Sequence, residues 1–284
     1  MCPILFQWGP LRLGSYGLLL ACAFLSAIYI TNRQFRKYGA DEAIAWDIYL
    51  LAIIGGMVGS RGLYLIEVWQ LFMQKPYEIF FSGAGFSVNG GYILALFLCW
   101  LRIKWAGEKF WRMADLCAPG LAVGYAVGRI GCITAGDGCY GLPSMLPWAM
   151  TFPHGLVSTL SAKNAMLVRL FKETYPGLPM PEDISVHPTP IYESLSQFIL
   201  LGILLKKDWE IGTAKRFSFF LGWFSISRFF VEYIRLNPKS WLGFTTDQWL
   251  CAGLFLAAIV IPAKVRSSAA LTDNFTEKGA VKES

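Results

Sequence analysis

The hydrophobic residues of this chain fall into long blocks separated by shorter polar connections. A helix needs roughly 20 apolar residues to cross the hydrocarbon core of a membrane. Seven blocks approach that length: 13–31, 47–68, 86–104, 114–133, 190–205, 216–235 and 247–264. The pattern predicts an all-α polytopic membrane protein of seven transmembrane helices, forming one domain over residues 1–266. The polar residues 267–284 are predicted to be a disordered tail.

Composition and charge support the membrane assignment and give an orientation. Of the 284 residues, 55% are hydrophobic and 15% charged, and the mean hydropathy is +0.46, whereas a soluble domain carries about 25% charged residues. Fifteen lysines and arginines lie on one set of connections and six on the other. By the positive-inside rule the N-terminus is outside and the C-terminus cytoplasmic. The long connection 135–189 is then periplasmic, with one short helix near 161–173, and no basic patch suggests nucleic acid.

Four arginines lie within or at the ends of the apolar blocks: Arg61, Arg129, Arg228 and Arg235. A charge in the bilayer centre costs about 2.5–3.5 kcal/mol or more, so each is a candidate functional residue. Glu232 shares a helix face with Arg228 and Arg235, but no carboxylate lies within one turn of Arg129. This imbalance favours a bound anion, a phospholipid phosphate above all, because guanidinium offers bidentate donors. Internal ion pairing is the structural alternative.

Further polar signals lie at the same predicted outer face. In GRIGCITAGDGCYG the glycines are expected to end a helix and expose N–H groups around an anion; they are Gly131, Gly136, Gly138 and Gly141. In HPTPIYE, Thr189 and Pro190 predict a capped helix start with Glu193 in its first turn, which leaves His187 and Tyr192 unexplained. Asn89 and Gly90 open the third block, and Tyr16 lies near the start of the first.

The seven cysteines have no CxxC spacing, and most lie in apolar blocks, where a buried hydrophobic role is the usual one. Cys132 and Cys139 both fall near the outer face, so a disulfide between them is an open alternative. With only His154 and His187 available, the sequence shows no histidine-based zinc pattern.

Taken together, these segments resemble bacterial prolipoprotein diacylglyceryl transferases. The matching stretches are SYGLLL, GGMVGSRGLYL, GFSVNGG, GRIGCITAGDGCYG with LPWAMTFP, HPTPIYE and FSISRFFVEYIR. The resemblance implies an enzyme of the bacterial inner membrane that moves a diacylglyceryl group from phosphatidylglycerol to the lipobox cysteine of a prolipoprotein signal peptide. A thioether forms and glycerol phosphate leaves. No metal or organic cofactor is implied.

The resemblance also assigns roles by motif position. Arg129 matches an arginine that binds the lipid phosphate, Arg228 a second essential arginine, and Tyr16 an important tyrosine. The chain departs from the family pattern where Asn89 replaces a histidine, and where Cys132, Ala135 and Asp137 replace two asparagines and a glutamate. Because an amide is no general base, the thiol proton is expected to go to Asp137, His187 or solvent.

The sequence therefore yields two sets of candidate site residues. The catalytic candidates are Arg129, Arg228, Asp137 and Asn89. The substrate-binding candidates are Tyr16, Arg61, Gly90, Gly131, His187, Tyr192, Glu193, Glu232 and Arg235. The alternatives are a transferase with another phospholipid donor or acceptor, an anion transporter, and a non-catalytic lipid-binding scaffold.

Overall fold

A computed structural model of the protein describes residues 4–8, 11–80 and 87–280. Two short strands, a 3₁₀ turn and ten α-helices follow one another along this part of the chain. The strands are β1 (Ile4–Trp8) and β2 (Leu11–Gly14), and the 3₁₀ turn is Trp241–Gly243. The helices are α1 (Ser15–Lys37), α2 (Glu42–Glu67), α3 (Trp69–Gln74), α4 (Pro76–Phe80), α5 (Val88–Trp105), α6 (Phe110–Ala135), α7 (Ala165–Thr174), α8 (Thr189–Lys206), α9 (Lys215–Glu232) and α10 (Thr246–Ala280).

Every one of the seven predicted blocks overlaps a helix, although residue 86, the predicted start of the third, lies outside the described residues. Four helical segments are long and apolar enough to cross a membrane by length and composition: Ser15–Lys37, Glu42–Glu67, Phe110–Ala135 and Thr246–Ser267. The chain is therefore a largely helical protein with several apolar spans. The short helix predicted near 161–173 is present as α7.

Two features of the backbone depart from the sequence expectations. The N-terminal strands β1 and β2 pair antiparallel, where an all-α fold is predicted; two short apolar runs around a Gly-Pro pair are a hairpin signal that helix-length windows miss. Helix α10 continues to Ala280, where the sequence predicts a disordered tail from residue 267. Alanine, leucine, glutamate and lysine in this stretch are good helix formers. Residues 281–284 lie outside the described part.

The chain divides into two compact units, Met1–Ile30 with Ala118–Ser284 and Thr31–Cys117, where the sequence predicts one membrane domain. In the second unit, helices α2 and α5 approach each other through glycines. A Cβ at Gly59 would lie 2.3 Å from the carbonyl oxygen of Gly90, and one at Gly90 would lie 2.2 Å from that of Gly59. Only residues without a side chain allow so close a contact between helix backbones.

In the first unit, the connection between α6 and α8 packs around its own hydrophobic core. Helix α7 buries Leu167 and Phe171 against this core, and the rings of Tyr140 and Phe152 stack with centroids 5.4 Å apart. Isolated antiparallel bridges, including Met150 with Val186, hold the segment together. The connection is thus a folded substructure, which gives the loop after α6 a fixed position.

The glycine contact between α2 and α5 predicts the effect of a methyl group there. Gly59→Ala should lower the free energy of unfolding by about 1–3 kcal/mol, because the new Cβ overlaps a backbone oxygen that cannot move aside. Gly62→Ala in the same helix is the matched control, since a Cβ there meets nothing within 4 Å. Thermal unfolding of both variants in detergent measures the difference. Equal melting temperatures would contradict the contact.

Candidate active site

Arg129 lies in the last two turns of α6, and three groups of its own unit surround its guanidinium. Nε lies 2.8 Å from Oε2 of Glu193 on α8, and Nη2 donates to the hydroxyl of Tyr125 at 2.7 Å. The guanidinium also lies over the Tyr125 ring, 4.8 Å from its centroid. Nη1 has a weaker contact, 4.0 Å to Sγ of Cys132. One edge of the guanidinium is therefore anchored, and the Nη1 edge is only loosely engaged.

Glu193 is the centre on which the arginines converge. It is 2% exposed, and Arg228 on α9 donates to its Oε1 at 2.7 Å. Arg235, just beyond α9, lies 3.8 Å from Oε2, the oxygen that also faces Arg129. A buried carboxylate is tolerated only when cations and donors compensate the lost hydration. Glu193 therefore connects α6, α8 and the end of α9.

The remaining acids of the cluster pair with the other face of Arg228. Nη2 of Arg228 lies 3.2 Å from Glu232 and 2.5 Å from Asp247 at the start of α10. The sequence places only Glu232 on a face with these arginines, whereas the fold also brings Glu193 and Asp247 to them from other helices. Among the described residues the balance is three guanidiniums against two buried carboxylates and Asp247, whose side chain is 45% exposed. The formal charges of the cluster therefore balance, but the pairing is uneven, because the carboxylates lie close to Arg129 and Arg228 and far from Arg235.

Arg235 is the least neutralised arginine of this cluster. Its ion pairs are long, 3.7 Å to Glu232 and 3.8 Å to Glu193, although its side chain is only 10% exposed. Its Nη1 atom is buried without a hydrogen-bond partner among the described residues. A buried donor of a charged group left unpaired costs more than a normal hydrogen bond contributes. The position therefore suits an anionic ligand.

The glycine-rich loop after Arg129 is not the open anion-binding hollow that the sequence suggests. Helix α6 continues to Ala135, so Gly131 lies within it. The N–H of Gly136 bonds the Cys132 carbonyl at 2.9 Å, and that of Gly141 bonds the His187 carbonyl at 2.8 Å. These N–H groups are therefore already used. Gly131 lies beside Tyr16, and a Cβ there would be at an ordinary contact distance of 3.4 Å from the tyrosine ring.

The same loop gathers two thiols and a carboxylate. The ligand atoms of Cys132, Asp137 and Cys139 all lie within 4.8 Å of one another, and both cysteines are free thiols. Gly136 and Gly138 make this possible, because φ values of 58° and 87° turn the chain back onto the end of α6. Asp137 accepts a hydrogen bond from the N–H of Cys139 at 3.0 Å. These three side chains are the group in the described chain best able to hold a metal.

His187 and Tyr192 lie beside each other at the entrance to α8. The Tyr192 hydroxyl lies 3.4 Å from Nδ1 of His187 and accepts from Nε1 of Trp148 at 2.9 Å. Burial lowers the pKa of His187, so the neutral ring, which can accept a proton, dominates at neutral pH. The predicted helix start is confirmed, but Thr189 makes no cap; its hydroxyl donates to the Cys139 carbonyl at 2.5 Å.

Arg61, Asn89 and Gly90 belong to the second unit. Arg61 donates through Nη2 to the carbonyl of Ile79 and lies over the Tyr64 ring. Asn89 is exposed near the start of α5. Gly90 is buried in the contact with Gly59. Close packing of α2 and α5 therefore accounts for a glycine at this position.

Sequence reasoning missed two members of the cluster, Tyr125 and Asp247. Tyr125 stands four residues before Arg129, the spacing that places two side chains on one helix face, so that signal was available. Asp247 stands alone at the start of an apolar helix, and only the fold shows that it meets Arg228.

The chain is similar to proteins of one family along most of its length. The profile of the family described as prolipoprotein diacylglyceryl transferase matches residues 3–263. Phosphatidylglycerol–prolipoprotein diacylglyceryl transferase 2 of Clostridium perfringens is 30% identical over 259 residues, covering 88% of this chain and 90% of the relative. The phosphatidylglycerol–prolipoprotein diacylglyceryl transferase of Clostridium tetani is 28% identical, covering 92% and 96%.

The central position of Glu193 predicts a large effect of removing its charge. Glu193→Gln should lower the free energy of unfolding by about 3–5 kcal/mol, because Arg129 and Arg228 keep their buried charges and lose their shared counterion. Glu173→Gln is the control, since Glu173 pairs with Arg169 at an exposed site and should contribute about 1 kcal/mol or less. Thermal unfolding in detergent tests both. A Glu193→Gln protein as stable as the control would contradict the central role.

Proposed function

The chain belongs to the prolipoprotein diacylglyceryl transferase family, and on that premise we propose that it transfers a diacylglyceryl group from phosphatidylglycerol to the lipobox cysteine of a prolipoprotein. The names of its relatives state the same donor and acceptor for those proteins. The sulfur forms a bond to the glycerol carbon as the carbon–oxygen bond to phosphate breaks, and glycerol phosphate leaves. The observation that carries the proposal is the incomplete pairing of the Nη1 atoms of Arg129 and Arg235 beside Glu193.

Two guanidinium edges are the candidates for binding the phosphate. Arg129 and Arg235 approach the same oxygen of Glu193, at 2.8 and 3.8 Å, so their guanidiniums lie near each other. The Nη1 atoms of both lack a strong partner among the described residues. Fixed cations beside a leaving phosphate stabilise its growing charge without reorganising during the reaction. Arg129 and Arg235 therefore bind the phosphate in this proposal.

Arg228 has a different role in this proposal. Its Nη1 and Nη2 atoms are bound to Glu193, Glu232 and Asp247 at 2.5–3.2 Å, which leaves little capacity for a ligand. Arg228 is therefore a positioning residue that orients Glu193, and through it Arg129. This differs from the catalytic assignment that the resemblance gives it.

The proposed setting is the inner membrane of a bacterium, with seven spans, the N-terminus outside and the C-terminus in the cytoplasm. The helices that overlap all seven predicted blocks and the asymmetry of the basic residues support it. The loop after α6 and the segment before α8 then face the periplasm, where a secreted acceptor would arrive.

The phosphate-binding assignment predicts that two substitutions each slow the reaction. Arg129→Ala and Arg235→Ala should each lower the rate of lipidation by about 100-fold or more, because each removes a donor to the leaving phosphate. Arg235→Ala should do so with little loss of thermal stability, since its ion pairs are long. Glycerol phosphate release from phosphatidylglycerol vesicles with a lipobox peptide measures the rate. Arg169→Ala, at an exposed site, is the control.

Normal lipidation by a folded Arg129→Ala protein would contradict the role of Arg129. The unmodified protein tests the reaction itself, through complementation of a strain depleted of its own transferase, read by the mobility of a lipoprotein. Release from another phospholipid but not from phosphatidylglycerol would favour a different donor. Anion uptake into proteoliposomes would favour a transporter, and lipid binding without turnover a scaffold.

The proposed topology predicts the location of two connections. Alkaline phosphatase, which folds only outside the cytoplasm, should be active when fused after residue 158 and inactive when fused after residue 112. The basic residues that retain the second connection in the cytoplasm are Arg102, Lys104, Lys109 and Arg112. Activity at both fusion points would contradict the orientation.

A further inference from the structure

We propose that Cys132, Asp137 and Cys139 form a binding site for a zinc ion. Their ligand atoms lie within 4.8 Å of one another. Bond lengths of about 2.3 Å to sulfur and about 2.0 Å to oxygen place the ligands of a tetrahedral zinc about 3.5–3.8 Å apart. A contraction on the order of 1 Å, within reach of side-chain rotation, would therefore complete the site.

The backbone already holds two of the three ligands in place. The N–H of Cys139 donates to Oδ1 of Asp137 at 3.0 Å, and Gly136 returns the chain to α6 through its bond to the Cys132 carbonyl. The positive φ of Gly136 fixes this turn, and Cys132 itself belongs to a regular helix. Little chain entropy is then lost when an ion binds, which favours affinity.

The donor set selects the ion. Thiolates bind soft or borderline metals in preference to hard ones. A site with two thiolates therefore favours zinc over magnesium and calcium. Three anionic ligands around a divalent ion leave one net negative charge. Arg129, whose Nη1 atom lies 4.0 Å from Cys132 Sγ, can balance it. The family resemblance implies no metal, and the histidine-poor sequence gives no zinc signature, so only the folded loop reveals the site.

Three protein ligands leave a fourth coordination position open, as in catalytic zinc sites. A thiol is the ligand class that suits it, because a coordinated thiol loses its proton outright. This step rests on the proposed function. The lipobox thiol would release its proton to solvent on coordination, and its sulfur would then form the thioether as glycerol phosphate leaves. Such an ion supplies the activation that Asn89, an amide, cannot.

Metal binding is tested on the full-length protein, purified in detergent, reduced with a phosphine and stripped with a chelator. Titration with Co²⁺ should give thiolate-to-cobalt charge-transfer absorption that saturates at one equivalent and disappears when Zn²⁺ is added. Cys132→Ser and Cys139→Ser should lose most of this absorption, and Asp137→Asn should weaken binding about 10-fold or more. Cys22→Ser, at an exposed cysteine away from the loop, is the control and should bind as the parent does.

Each outcome decides the proposal. Thermal unfolding without metal shows whether the variants fold as the parent does. Absence of charge-transfer absorption in the reduced protein overturns the site, as does a Cys132–Cys139 disulfide in protein isolated directly from membranes. Binding with lipidation that survives metal removal overturns the activating role alone. Binding without any lipidation, even with zinc present, contradicts the proposed function and leaves the metal site standing.

Discussion

The first compact unit depends on one buried charge, the carboxylate of Glu193. At 2% exposure this carboxylate has lost nearly all its hydration. The guanidinium groups that replace the water come from α6, α9 and the segment after α9. Taking two charges out of water costs several kcal/mol per ion, and only good geometry with additional hydrogen bonds offsets it. The positions of Arg129, Arg228 and Arg235 are therefore fixed together.

This coupling distinguishes a site from an ordinary buried ion pair. A network built for stability alone would pair every guanidinium closely, whereas here the close contacts of the three carboxylates go to Arg129 and Arg228. Arg235 is the member that stays poorly paired. In the proposed function, an arriving anion would meet guanidinium groups that are already oriented. Such preorganisation is the form of electrostatic stabilisation that accelerates reactions most.

The sequence predicts the parts of this structure that depend on local patterns. Helix positions follow from hydrophobic blocks, and the shared face of Arg228 and Glu232 follows from their spacing of four residues. The partner of Arg129 does not, because Glu193 is 64 residues away along the chain and only packing of α6 against α8 brings it near. The glycines mislead for a related reason. Their N–H groups look free in a sequence, but that of Gly136 bonds the Cys132 carbonyl and that of Gly141 bonds the carbonyl of His187 in a distant segment.

The departures from the family pattern gain a common explanation from the loop after α6. Asn89 replaces a possible base with an amide, which alone would weaken thiol activation. Cys132 and Asp137 replace an asparagine and a glutamate in the turn that follows Arg129, and with Cys139 they bring metal-binding atoms within 4.8 Å of one another. The neutral asparagine that Cys132 replaces could not supply a thiolate, the ligand that a borderline metal prefers. In the two proposals taken together, one loop would hold the nucleophile close to Arg129, whose Nη1 atom lies 4.0 Å from Sγ of Cys132, and a displacement at carbon needs both a nucleophile and a stabilised leaving group.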